Sequence, residues 1–283
     1  MVTNRLWRLF AALAVLLGSA GTALGSDYES GDPIRDQFRV DLGGYAPVTS
    51  TTIRLDGTVG GVRVPGTTFD VERELGYRSK SLFRADAYWR FFRHHKLMVS
   101  YFRNDRDASK SINETLQFGN LRFPVGVGIN SRFDTRLLQA AYEWDFLQGK
   151  HYFLGAIIGI HDLKFNLALS GTAYVSNSAM TASAYREASV DGPLPVVGLH
   201  GLWRFNPKFY IDAQYQYFQA SISPYSGHLS DAIVSAVWQA SKHVGLGAGY
   251  DAFGAGLRVD SSRFIGDVRW RYGGVRIFLT GSF

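Results

Sequence analysis

The sequence predicts an all-β fold, a transmembrane antiparallel up-and-down β-barrel of about ten strands, and three observations predict it. Apolar and polar residues alternate over most of the chain, the period-2 pattern of strands whose two faces meet different surroundings. Beyond residue 25 the longest uncharged apolar stretch is Tyr152 to Ile160, nine residues, about half of what a helix needs to cross a bilayer. Aromatic rings gather at strand ends beside short turns, where a membrane would meet water. The composition, 46% hydrophobic and 19% charged with a mean hydropathy of −0.06, is too apolar for disorder. Cysteine is absent, which excludes a disulfide framework, a cysteine-ligated metal and a thiol nucleophile.

Residues 1–25 read as a secretory signal peptide, and 26–283 as one barrel domain. Arg5 and Arg8 form the basic n-region, Leu9 to Leu17 the apolar h-region, and Ala23-Leu24-Gly25 the small-residue cleavage site. Without Arg5 and Arg8 the chain carries a net charge of about +4. No lysine-rich block accompanies it, so nucleic acid is not an expected partner.

The strands follow from parity. Phe209, Ile211, Ala213, Tyr215 and Tyr217 oppose Tyr210, Asp212, Gln214 and Gln216; Leu138, Ala140, Tyr142, Trp144 and Phe146 oppose Gln139, Glu143 and Asp145. Tight turns are expected near 94–95, 148–150, 206–207 and 241–242, and long connections near 59–79, 104–126 and 168–194. Upward strands then fall near 37–58, 96–108, 151–168, 208–222 and 243–258, with downward partners near 80–93, 127–147, 193–206, 227–240 and 262–283. The last strand changes phase: Val268, Trp270 and Tyr272 share one parity, and Val275, Ile277, Leu279 and Phe283 the other. Gly273-Gly274 between them suits a bulge, or a turn that would raise the count to twelve. A secreted β-sandwich is the competing fold, with the same apolar faces buried.

The leader, the alternating strands and the terminal segment Val275-Arg276-Ile277-Phe278-Leu279-Thr280-Gly281-Ser282-Phe283 together resemble a Gram-negative outer-membrane β-barrel protein, of the small porin-like kind. The resemblance implies outer-membrane localisation, contact with membrane lipid and lipopolysaccharide, and Phe283 as part of the signal taken up by the barrel-assembly machinery. The segment from Gly66 to Gly76 resembles a first-loop stretch of poorly characterised proteobacterial outer-membrane proteins and carries no activity with it.

The polar parity places Arg84, Asp86, Arg90, Glu143, Asp145, Arg204, Asp212, Asp231, Asp251, Arg269 and Arg271 toward the lumen. They form either the charged eyelet of a narrow solute channel or a mutually neutralised filling; at ten strands the filled interior is the expectation. His161 and His200 are expected to face the same interior. His228 and Ser230 pair as in lipid A deacylases, where a histidine activates a serine, but no orienting carboxylate follows on their face. His94-His95 lacks a third metal ligand. Neither a cofactor nor a catalytic constellation is expected. The functional expectation is a small-solute channel, or a ligand-binding or structural barrel, with a lipid-active hydrolase as the alternative. Phe69 is expected in the first external loop.

Overall fold

A computed structural model describes residues 29, 31–59, 62–78, 82–175, 181–223, 225–260 and 265–283; the expected leader lies outside them. The ring strands are β1 (Phe38–Leu55), β5 (Leu82–Phe92), β6 (His95–Ser111), β9 (Gly128–Gln148), β10 (Tyr152–Val175), β11 (Thr181–Asn206), β12 (Phe209–Ile222), β13 (Tyr225–Gln239), β14 (Val244–Asp260) and β15 (Ile265–Ser282). Each pairs antiparallel with its neighbours in sequence, and β15 returns to β1. Ten strands close the ring and no edge is left at the seam, where Leu42 faces Leu279 and Arg39 faces Ser282.

Short pieces lie between the first ring strands. These are β2 (Gly57–Val59), β3 (Val62–Val64), β4 (Phe69–Asp70), α1 (Val71–Leu75), β7 (Leu116–Phe118) and β8 (Leu121–Phe123). Asp70 caps α1 by accepting from the Arg73 amide, and Gly76 ends it at φ 76°, a left-handed position that glycine occupies without strain.

Two expectations about the chain's course are corrected. The register of β15 runs unbroken through Gly273 and Gly274 against both β1 and β14, so neither a bulge nor a twelfth strand forms there. The phase change is chemical. Val275, Ile277 and Leu279 are exposed on the outer face, whereas Val268, Trp270 and Tyr272 are buried on the inner one. The stretch 168–194 is not a long loop either. β10 and β11 stay paired up to Tyr174 and Thr181, forming a tall hairpin above the rest of the wall.

Outward rings cluster at the tight-turn end: Trp89, Phe92, Trp144, Phe146, Trp203, Phe205, Phe209, Trp238 and Phe283 are all exposed. Above them comes a band of exposed aliphatic residues, among them Leu97, Val99, Ile158, Ile160, Val197, Leu199, Val234 and Leu246. The tight turns thus mark the lower end of the barrel and the long connections its upper end.

Candidate functional site in the barrel interior

Inward positions in the lower half come from alternate residues of every strand and carry a dense set of ionisable side chains. Arg39 Nε lies 3.0 Å from Asp41 Oδ1 and its Nη1 3.1 Å from Asp212 Oδ2. Arg84 engages Asp86 at 2.9 Å and also Asp251, while Arg276 reaches Asp86 at 2.9 Å. Arg90 Nη1 is 2.6 Å from Asp145 Oδ2. Lys96 Nζ sits 2.6 Å from Glu143 Oε1 and 3.0 Å from Asp145 Oδ1. His200 joins Glu143 at 2.7 Å and Asp212 at 3.2 Å, linking two of these groups across the lumen. Charges out of water need such partners, because one left alone costs several kcal/mol. Asp231 is the exception: it is fully buried and neither carboxyl oxygen has a protein partner. Among the arginines and aspartates of this layer and His200 a cavity of about 60 Å³ remains, room for a few waters.

Above this layer the inward residues turn aromatic. Phe253 stacks on Tyr272 at 4.9 Å, Trp270 lies 4.8 Å from Tyr272, and Phe165 meets Trp270 edge-on at 5.3 Å. The first connection folds into the ring from above, burying Phe69, Val71 and Leu75, and the β7–β8 hairpin adds Phe118 and Phe123. Glu72 pins α1 in place, accepting from the Thr51 amide at 2.6 Å, the Thr51 hydroxyl at 2.9 Å and Arg106 at 2.7 Å.

The lower mouth is closed by the segment just before β1. Ile34 is 1% exposed and packs among Phe153, Leu202, Tyr210, Val237 and Phe278. Gln148 donates to the Ile34 carbonyl at 3.0 Å, Arg90 to the Asp36 carbonyl at 3.0 Å, and the Tyr88 hydroxyl to Asp36 Oδ1 at 2.5 Å. Asp32 holds Arg204 at 2.8 Å. Burial raises the Asp36 carboxyl to about 6 against the opposing pull of Arg90 and Tyr88.

Nine of the eleven expected lumen residues lie on inward positions: Arg84, Asp86, Arg90, Glu143, Asp145, Arg204, Asp212, Asp231 and Asp251. Arg269 and Arg271 do not. Both are exposed on the outer face, because the apolar residues sharing a strand half with them, Val268, Trp270 and Tyr272, face the filled interior and not lipid. Parity reasoning passed over Arg39, Asp41, Lys96 and Arg276, although Arg276 shares its phase with the inward Phe278. Nothing periodic marks residues 31–37, so the lower closure had no signal in the sequence. Phe69 is a buried core residue and not an exposed loop aromatic, since its connection turns into the ring. His161 bonds Gln216 at 3.1 Å and no carboxylate.

His228 and Ser230 are on the outer face, and no carboxylate orients His228 among the described residues. His95 contacts the Tyr142 hydroxyl at 2.5 Å, and the described residues contain no group of three or more acidic or histidine side chains placed to hold a metal ion.

Comparison with protein-family models gives no match, and comparison with curated protein sequences gives none either. Among solved structures, the outer-membrane protease OmpT from Escherichia coli is similar over 94% of this chain and 100% of its own, with a TM-score of 0.55 at 12% identity. A FadL homologue of Pseudomonas aeruginosa matches over 88% of this chain and 90% of its own, with a TM-score of 0.38 at 10% identity. Ail of Yersinia pestis matches over 87% and 97%, with a TM-score of 0.31 at 11% identity. Only the first superposes closely enough to bear on architecture, and at that identity it speaks to the fold alone. With its closed ring, lower aromatic girdle and aliphatic band, the chain is an antiparallel up-and-down β-barrel of the outer-membrane kind.

Proposed function

We propose that the protein resides in the bacterial outer membrane as a sealed structural or ligand-binding barrel, with its tight turns in the periplasm and its tall hairpin outside. One observation carries this reading: the interior is filled at three successive levels, by Ile34 and its neighbours, by the ion-paired layer, and by the aromatic upper core. A ten-stranded ring is narrow enough for side chains to fill, unlike the sixteen or so strands of an open porin. On this reading the surrounding partners are outer-membrane lipid and, during biogenesis, the barrel-assembly machinery. Planar-bilayer recording tests it. The purified barrel should leave the bilayer silent, and steady unitary conductance would overturn the sealed reading.

A gated narrow channel is the second reading, favoured by the cavity of about 60 Å³ that persists in the charged layer between the two apolar closures. It requires both closures to move. Conductance that appears only when residues 29–36 and the inserted first connection are both removed supports it.

A further inference from the structure

The outer face of the barrel carries arginines in two unlike settings. On β6 and β9, Arg103, Arg132 and Arg136 stand above the aliphatic band and each is ion-paired, to Asp105 at 2.8 Å, Asp107 at 2.8 Å and Asp162 at 2.9 Å. On β14 and β15, Arg258 and Arg271 hold no ion pair among the described residues. Arg269 lies 3.7 Å from Asp267, which Arg54 engages at the same distance.

The register sets these arginines in three rows. Ser226, Arg258, Asp267 and Arg54 form the top row; His228, Gly256, Arg269 and Thr52 the middle one; Ser230, Gly254, Arg271 and Ser50 the bottom one. Gly256 makes the floor of the middle row. The His228 ring lies over it so closely that an added Cβ would sit 2.2 Å from His228 Cε1. A groove of about 150 Å³ opens there, lined by His228, Gly256, Arg258, Asp267 and Arg269. In the next row down the outward positions are Ala232, Ala252, Gly273 and Val48, small and apolar, leading into the aliphatic band.

We propose that this face holds one phosphorylated lipid of the outer leaflet. Arg269, Arg271 and Arg258 take the phosphate oxygens, and the acyl chains run down the smooth surface below. Guanidinium forks match phosphate geometry and gain most where no carboxylate already occupies them; Arg258 and Arg271 are of that kind, and Arg269 has only Asp267 at 3.7 Å, which Arg54 shares. Asp267 repels the anion from the upper corner and so favours the Arg271 side. A free phosphate would not need the apolar row beneath; a lipid does. The inference rests on the reading that the aliphatic band lies in a membrane.

Native mass spectrometry of the mature chain from detergent micelles tests it with three probes: dioleoyl phosphatidic acid, the diacylglycerol with the same chains, and inorganic phosphate. One phosphatidic acid should be retained, and Arg269→Gln with Arg271→Gln should weaken it about tenfold or more. Arg132→Gln with Arg136→Gln, which removes the same charge from the opposite face, should change it by less than about twofold. No retention of phosphatidic acid overturns the site. So does equal loss in both double variants, which reports net charge only, or equal retention of diacylglycerol, which reports an apolar face only. Competition by inorganic phosphate would reveal a free-anion site and likewise overturn it. Heat-modifiable migration on gels confirms that each variant is folded. Release of the wild-type protein by alkaline carbonate would instead defeat the membrane reading beneath the proposal, whereas an embedded protein without phosphate selectivity defeats the lipid site alone.

Discussion

The lower and upper halves of the interior fill the same ten-stranded ring with opposite chemistry. Below, Arg39, Arg84, Arg90, Lys96 and Arg276 are matched against buried or half-buried carboxylates, so each side chain depends on a particular partner. Above, Phe102, Phe165, Phe253, Trp270 and Tyr272 pack on one another and on an inserted connection, and the contacts are non-directional. An ion pair in low dielectric is intolerant of losing one member, while an aromatic core relaxes around a change of shape. The lower half therefore specifies the interior, and the upper half plugs it.

The largest effect should come from breaking a lower pair. Lys96→Met removes the cation shared by Glu143 and Asp145, both essentially unexposed, leaving only His200 on the first and Arg90 on the second, and should destabilise the barrel by about 3 kcal/mol; urea unfolding from micelles reads it. In the upper half Phe102→Leu, although its site is only 2% exposed, should cost about 1.5 kcal/mol or less in the same assay. Equal costs would erase the distinction between the halves.

A pH effect of intermediate size should come from the lower closure. Asp36 has its pKa raised from 3.8 to about 6, so the folded state binds the extra proton in the window between those values. Its contribution is full below pH 4, declines as pH rises toward 6, and is flat above, a total of roughly 3 kcal/mol at most. The segment 31–37 should accordingly be less protease-sensitive at pH 4.5 than at pH 7.5. Asp36→Asn should remove that dependence. A segment that loosens on acidification would refute the assignment.

The smallest stability effect should be at the lower rim. Phe283 is 59% exposed, stacks on His243 at 5.4 Å, and exchanges backbone hydrogen bonds with Phe38 at the closing seam. Phe283→Asp should cost little in the unfolding free energy of an assembled barrel, yet lower its yield in the membrane. Tyr185→Asp, at an upper site of 64% exposure, is the matched control; Phe69 is not, since it is buried. Equal yields would make Phe283 an ordinary rim residue.

Most of the wall was legible because a strand with unlike faces writes its period into the chain. The tight turns and the ten strands follow from it, while the pairing of β15 with β1 follows from closing the ring. Parity determines which residues share a face. It does not determine which face looks inward once the interior itself becomes apolar, and that is why Arg269 and Arg271 were placed on the wrong side of Trp270 and Tyr272. The closures lay further from view. Ile34 and Phe69 sit in aperiodic segments, and their burial depends on rings from Phe153 to Phe278 and from Phe102 to Trp270 that meet only when the barrel closes. The choice of ionic partners was decided at the same stage, since Arg39 and Asp212 are neighbours only across the lumen. Local alternation is fixed by the backbone's own geometry; what fills the enclosed space is fixed by strands distant in sequence.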